Sequence, residues 1–194
     1  MATPLSPAAA PESPATPEPP VTLESPVSAV EPLTMRRTMG RFATGVAVVT
    51  TSADGAPHGM TVNSLTSVSL DPPLLLVCLT TGARTTEAVT ASGRFAVNIL
   101  SSRQEHLATR FAQRGADHFA GLDVIHGQLH VPVIPDAFAR LECTVERHFV
   151  AGDHSVVIGE VLDTYERDGE PLGFLGGKFS DIAERGHEPA QWFF

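Results

Sequence analysis

The residues most able to do chemistry in this chain occur singly, so their surroundings matter more than any fixed spacing. The stretch Gly59-Met60-Thr61-Val62-Asn63-Ser64-Leu65-Thr66-Ser67-Val68-Ser69-Leu70 is unusually dense in hydrogen-bonding side chains. Met60, Val62, Val68 and Leu70 keep the alternation of a strand, and Leu65 falls out of phase with them. Such a slip predicts a bend around Asn63-Ser64, a device that re-aims side chains and frees backbone donors. Amides and hydroxyls beside a bend can meet a polar ligand carrying carbonyl and phosphate oxygens. They can equally form the solvated face of a Ser/Thr-rich strand, and pattern alone leaves both open. Arg84 has a guanidinium that matches phosphate geometry, although a surface arginine at a helix start reads the same way. His154 follows the turn Gly152-Asp153 and, taken alone, is either a functional imidazole or an ordinary exposed one.

Several chemistries are excluded by what the sequence lacks. There is no Gly-x-Gly-x-x-Gly and no Walker loop, so a nucleotide would bind outside the Rossmann pattern. No Gly-x-Ser-x-Gly elbow points to a serine hydrolase. His126 and His130 are four apart, but Gly127 and Pro132 argue against the helix that would align them, and no metal is expected. The net charge of −9 disfavours a phosphate-backbone binder. Cys78 and Cys143 lie in apolar runs, where a free thiol behaves as a small hydrophobe; a reducing cytoplasm fits this usage. No run approaches the ~18–20 apolar residues of a membrane helix.

The elements that would position these residues can be read from punctuation and periodicity. Residues 1–33 contain nine of the 16 prolines, four glutamates, and no aromatic residue, Lys or Arg, which predicts a disordered Pro/Ala-rich tail with no targeting signal. A single body is expected over 34–185, with a short tail over 186–194. Thr34 could cap a helix to about Phe42. Val46–Thr51 reads as a buried strand ending at the hairpin signal Asp54-Gly55. A long strand region, 58–70, ends at Asp71-Pro72-Pro73. Further strands are expected over 74–79, 95–100, 139–149 and 155–165, the last two joined at Gly152-Asp153, with a short arm near Leu172-Gly173-Phe174. Short helices are expected over 85–91 and 102–111, and irregular structure over 112–138. Many short strands with few helices favour a small antiparallel barrel over a doubly wound sheet.

The segments 41–51 (Arg-Phe-Ala-Thr-Gly-Val-Ala-Val-Val-Thr-Thr) and 59–73 together resemble the flavin reductase family with the FMN-binding split-barrel fold. The resemblance continues through Ser92–Leu100, Leu141-Glu142-Cys143, Gly152-Asp153-His154-Ser155 and Ile158-Gly159-Glu160-Val161, in order, and spans roughly residues 35–182. It implies a mainly β fold, a six-stranded antiparallel Greek-key split barrel, in a homodimer. It also implies an NAD(P)H:flavin oxidoreductase passing a hydride from NADH or NADPH to FMN or FAD, and supplying reduced flavin to a partner monooxygenase.

By matching motif, the resemblance places Thr44, Gly45 and Val46 along the isoalloxazine. Thr61, Val62, Asn63 and Ser64 fall along the ring and ribityl chain, and Thr66, Ser67, Arg84 and Thr85 near the phosphate. His154 falls by the nicotinamide, as the residue nearest to catalysis. Phe119 could approach the flavin or serve core packing. The family's closing stretch usually contains tyrosine; here Pro171–Phe179 carries Phe174 and Phe179, which can stack on a ring but cannot donate a hydroxyl hydrogen bond. Flavin carries the redox chemistry in such enzymes, so no catalytic acid–base pair is expected. Two other readings keep the fold: an oxidase with tightly held FMN acting on another donor, and a flavin carrier without turnover.

Overall fold

The computed structural model describes residues 29–115, 117–183 and 186. The expected tails therefore lie outside the described residues, apart from 29–33 and Gly186. The first helix, α1 (Pro32–Met39), begins two residues inside the expected tail. Proline suits a first helical turn because its missing N–H would have no partner there. None of the residues of α1 is buried, and a hydrogen bond from the Gly176 amide to the Gly40 carbonyl, 2.8 Å, ties its end to the body.

The strands follow as β1 (Thr44–Gly45), β2 (Ala47–Ala53), β3 (Ala56–Val62), β4 (Thr66–Leu70) and β5 (Pro73–Thr80). Helix α2 (Arg84–Ser92) leads to β6 (Arg94–Ile99), and a 3-10 turn (Ser102–Gln104) leads to α3 (Glu105–Ala112). Two short strands, β7 (Ile125–His126) and β8 (Pro132–Val133), occupy the region expected to be irregular. The long hairpin β9 (Ala139–Ala151) and β10 (His154–Glu166) precedes β11 (Leu172–Leu175) and β12 (Lys178–Asp181). Asp54 and Gly55 both have positive φ, 51° and 73°, as a two-residue hairpin turn requires. Gly93 closes α2 in the left-handed conformation.

The molecule is mainly β, but the expected six-stranded barrel needs correction. The main sheet has seven antiparallel strands in the order β3-β2-β6-β9-β10-β5-β4, and among the described residues no ladder closes it. The extra strand arises because the long run 58–70 breaks at residues 63–65, leaving β3 paired with β2 and β4 paired with β5. The two edge strands are thus consecutive in the chain. The four steps from Val62 to Thr66 span at most roughly 14 Å, so the edges must approach each other at this end. Val68 is skipped in the β4–β5 register and is exposed, as is Leu70. The out-of-phase Leu65 instead packs against the core.

β2 is buried on both faces, which explains its continuous apolar run. Ala47 and Val49 face a cluster containing Val62, Val77, Leu79, Phe95, Val97, Cys143 and Val157. Val46 and Val48 face a second cluster with Leu100, Leu107, Ala108, Phe111, Ile134 and Leu172. A buried polar network crosses the sheet. The Asn98 amide donates to the Val48 carbonyl (2.9 Å) and to Thr50 Oγ1 (3.0 Å), and its Oδ1 accepts from the Ile134 amide (2.8 Å). Both cysteines are free; burial raises the Cys78 thiol, and burial with the neighbouring Glu142 pushes Cys143 up to about 12.

Candidate functional site

A cleft of about 840 Å³ opens where three pieces of chain meet. One wall is β3, from Ala56 to Thr61. Another is the turn Thr80–Ala83 with the first residues of α2, Arg84 and Thr85. The third is the end of α3 with the loop that follows it, including Phe111, Arg114, His118 and Phe119. The volume suits a ligand of nucleotide size.

Each wall has a local cause. Gly82, with φ of 74°, allows the sharp turn out of β5. No side chain caps the N-terminus of α2, whose N-cap position is Ala83, so its first amides have no partner within the helix. Amides of this kind lie at the positive end of the helix dipole, and the first turn carries both Arg84 and the acidic Glu87. On the opposite wall the Thr61 hydroxyl donates to the Ala108 carbonyl at 2.7 Å and binds α3 to β3. Phe119 meets Phe111 edge to face, with ring centroids 5.1 Å apart.

Four of the residues expected at the site, Thr61, Arg84, Thr85 and Phe119, line this one cleft. His154 borders it: its strand partner is the cleft residue Thr80, and the amide of Thr81 donates to the Asp153 carbonyl at 3.1 Å. The His154 ring also hydrogen-bonds Asp153 at 2.7 Å, and this contact holds the Asp153 carboxyl below its usual range.

Ser64 donates to the Cys78 carbonyl (3.0 Å) and accepts from the Cys78 amide (2.9 Å), so one lone pair remains for a ligand donor. Asn63, Thr66 and Ser67 are exposed, and Val62 is buried in the core.

Thr44, Gly45 and Val46 lie apart from the cleft lining, where β1 pairs with β11 in the register Thr44 with Phe174 and Gly45 with Gly173. Phe174 and Phe179 stack edge to face at 5.8 Å and share an apolar cluster with Val46 and Phe119, which connects this region to the cleft. Among the described residues, Thr44 Oγ1 is the one buried side-chain polar atom with no hydrogen-bond partner. Buried polar atoms are normally satisfied, so an orphan here fits a group that arrives with a ligand. A side chain at Gly45 would meet nothing within 4 Å, so the glycine is not demanded by the protein's own packing.

Sequence reasoning missed Thr80, Thr81, Arg114 and His118. The uncapped start of α2 carried a signal, since Thr-Gly-Ala-Arg puts no acceptor side chain at the N-cap. The loop after α3 carried none.

These features define a β-rich domain with a cleft of nucleotide size lined by Arg84, Thr85 and Phe119. Residues 39–183 match the family described as flavin reductase like domain, and the chain belongs to that family. A probable flavin reductase of Rhizobium meliloti (strain 1021) is 45% identical over 151 residues, 77% of this chain. The chain spans only 48% of that longer relative. The nitrilotriacetate monooxygenase component B homolog from Mycobacterium thermoresistibile superimposes with a TM-score of 0.78 at 42% identity, covering 82% of this chain and 91% of that one. The NADH:FAD oxidoreductase of Streptomyces globisporus C-1027, solved with NAD and FAD fragments, gives a TM-score of 0.76 at 38% identity, covering 83% and 100%.

Proposed function

We propose that this protein is an NADH- or NADPH-dependent flavin reductase that hands reduced FMN or FAD to a separate monooxygenase. The observation that carries the reading is the cleft itself, lined together by Arg84, the uncapped start of α2 and Phe119 in a chain of this family. A bound flavin supplies the hydride acceptor and a reduced nicotinamide the donor. The protein's part is to hold and orient. Arg84, Thr85 and the α2 amides take the phosphate end, with Thr66 and Ser67 nearby. Thr61, Val62, Asn63 and Ser64 follow the ribityl chain and ring edge. Thr44, with its unpartnered hydroxyl, joins Gly45 and Val46 along the ring, and Phe119, Phe174 and Phe179 exclude water. His154, oriented by Asp153, meets the nicotinamide.

The body over 34–185 carries this activity. Large apolar residues exposed on β4, β9 and β10, namely Val68, Leu70, Phe149, Val150, Leu162 and Tyr165, support a homodimer. The free thiols Cys78 and Cys143 support a cytoplasmic setting. Among the described residues no helix is long and apolar enough to cross a membrane.

The test is NADH and NADPH oxidation by the purified protein with and without FMN or FAD. Flavin is expected to raise the rate at least tenfold, and no flavin stimulation with either nucleotide overturns the assignment. Asn63→Ala is expected to weaken flavin binding, and His154→Ala to lower nicotinamide-dependent turnover at unchanged flavin affinity. Equal flavin affinity and equal turnover in both variants would remove these two roles.

A further inference from the structure

The long hairpin leaves part of one strand without a neighbour. β10 pairs with β9 as far as Ala151, but β6 accompanies β9 only from Ala139 to Thr144. Every residue over 146–151 is exposed, which holds for no other strand stretch of this length among the described residues. A bulge bounds the stretch at one end, where Glu146 is skipped in the register with β10, and the Gly152-Asp153 turn bounds it at the other. The regular strand residues 147–151 thus present a bare edge.

Which backbone groups are bare follows from the turn. Ala151 and His154 close a two-residue turn as the last pair of the ladder, so their N–H and C=O groups point at each other. The direction alternates along a strand. Phe149 and Arg147 therefore also turn theirs towards β10, and His148 and Val150 turn theirs away from it. No proline or lysine blunts this edge. Unpaired donors and acceptors beside Phe149, 48% exposed, and Val150, 66% exposed, are a template for another strand.

We infer that this strand is the same edge of a second copy, so that segments 147–151 of two chains pair antiparallel about a two-fold axis at Phe149 and join their sheets. An edge can pair with itself only where outward-facing residues stand opposite outward-facing residues. With Phe149 on the axis, His148 of each copy lies opposite Val150 of the other, and both pairs exchange N–H···O=C bonds. Arg147 falls opposite Ala151 and beside the second copy's turn, where the Asp153 side chain is 94% exposed, so opposite charges meet and like charges do not. In a chain of net charge −9, residues 147–151 contain no carboxylate, which makes this strip a place of low mutual repulsion.

The two Phe149 rings meet at a non-hydrogen-bonded pair, where Cα atoms stand only ~4.5 Å apart. Within each copy Phe149 pairs with Val156 and Val156 with Cys78, so one apolar row runs through both sheets. Such a contact uses both edges at once and closes at two chains, whereas pairing with an unlike strand leaves an edge open for further growth. It also braces the hairpin whose turn carries Asp153 and His154 to the cleft border. The existence of a dimer rests on the function proposed above; its construction by edge pairing is a separate claim.

Val150→Pro tests that claim, because it removes an N–H that faces away from β10. The hairpin keeps its own ladder while the second copy loses a donor and meets a ring. Sedimentation is expected to show a two-chain wild type and an association at least tenfold weaker in Val150→Pro, with the circular dichroism spectrum unchanged. A two-chain wild type with Val150→Pro equally associated overturns the pairing and leaves the dimer standing. A wild type that sediments as a single chain overturns both, and the edge then falls to a strand of another protein.

Cross-linking decides the register without a proline. Under diamide, which takes up the two hydrogens lost by a pair of thiols, Phe149→Cys is expected to bond to its own counterpart across the axis and to run as a covalent dimer on non-reducing gels. Arg147→Cys, whose counterpart lies four residues along the strand, roughly 13 Å away, is expected to remain a single chain, as is wild type with Cys78 and Cys143. Equal cross-linking at 147 and 149, or none at 149, overturns the proposal.

Discussion

A hydroxyl that both donates to and accepts from one backbone residue works as a staple, and Ser64 holds Cys78 in this way. Replacing it with alanine strips the partner from one amide and one carbonyl on β5. The expected cost is about 1–3 kcal/mol of stability, read as a lower midpoint in urea unfolding with the slope unchanged. A Ser64→Ala variant as stable as wild type would show that water replaces the hydroxyl without loss. Sequence alone marked Ser64 as a ligand-facing candidate because type and neighbourhood are all that a sequence displays. That most of its hydrogen-bonding capacity is taken by Cys78, 14 positions away, depends on how the bend lands on β5. The place of Arg84 was easier to read, because it stands at the start of its own helix, α2.

At the level of elements, α3 is fastened to β3 by one hydrogen bond, Thr61 to Ala108, and by one tight contact, Phe111 against Gly59. An alanine at Gly59 would place its Cβ 2.7 Å from a ring that is only 1% exposed and cannot swing away. The helix must shift off the strand, at a cost of about 1–3 kcal/mol. Gly59→Ala is therefore expected to unfold at lower denaturant and to bind flavin more weakly, since the displaced helix forms a cleft wall. Unchanged stability and affinity would mean that the ring yields to the added methyl without moving the helix. Hairpins, strand order along the chain and helix ends were readable because Asp54-Gly55, Gly93 and Gly152 act through their own backbone. The third cleft wall was not, because Gly59, Phe111 and His118 meet only in three dimensions.

For the whole molecule, the exposed apolar residues on β4, β9 and β10 predict association. Sedimentation at micromolar concentration is expected to give a particle of two 20.6 kDa chains, and a glutamate at Phe149, 48% exposed near the hairpin tip, is expected to shift it towards one. A single-chain particle for the wild type would remove the dimer. The fold class was visible in the rhythm of short strands and turns, and the strand count was not. Whether a bent strand pairs as one or as two depends on which neighbours each half finds.

The linker at 63–65 has a further consequence. Exposed connections usually accept extra residues with little penalty, because nothing else is registered to their length. Here the chain on either side is already committed to opposite margins of one sheet, so the linker behaves like the drawstring of a purse. One residue more would slacken the mouth and turn one margin over, exchanging its inner and outer faces. A change of length at 63–65 should therefore be rare among functional variants, although Asn63 is exposed.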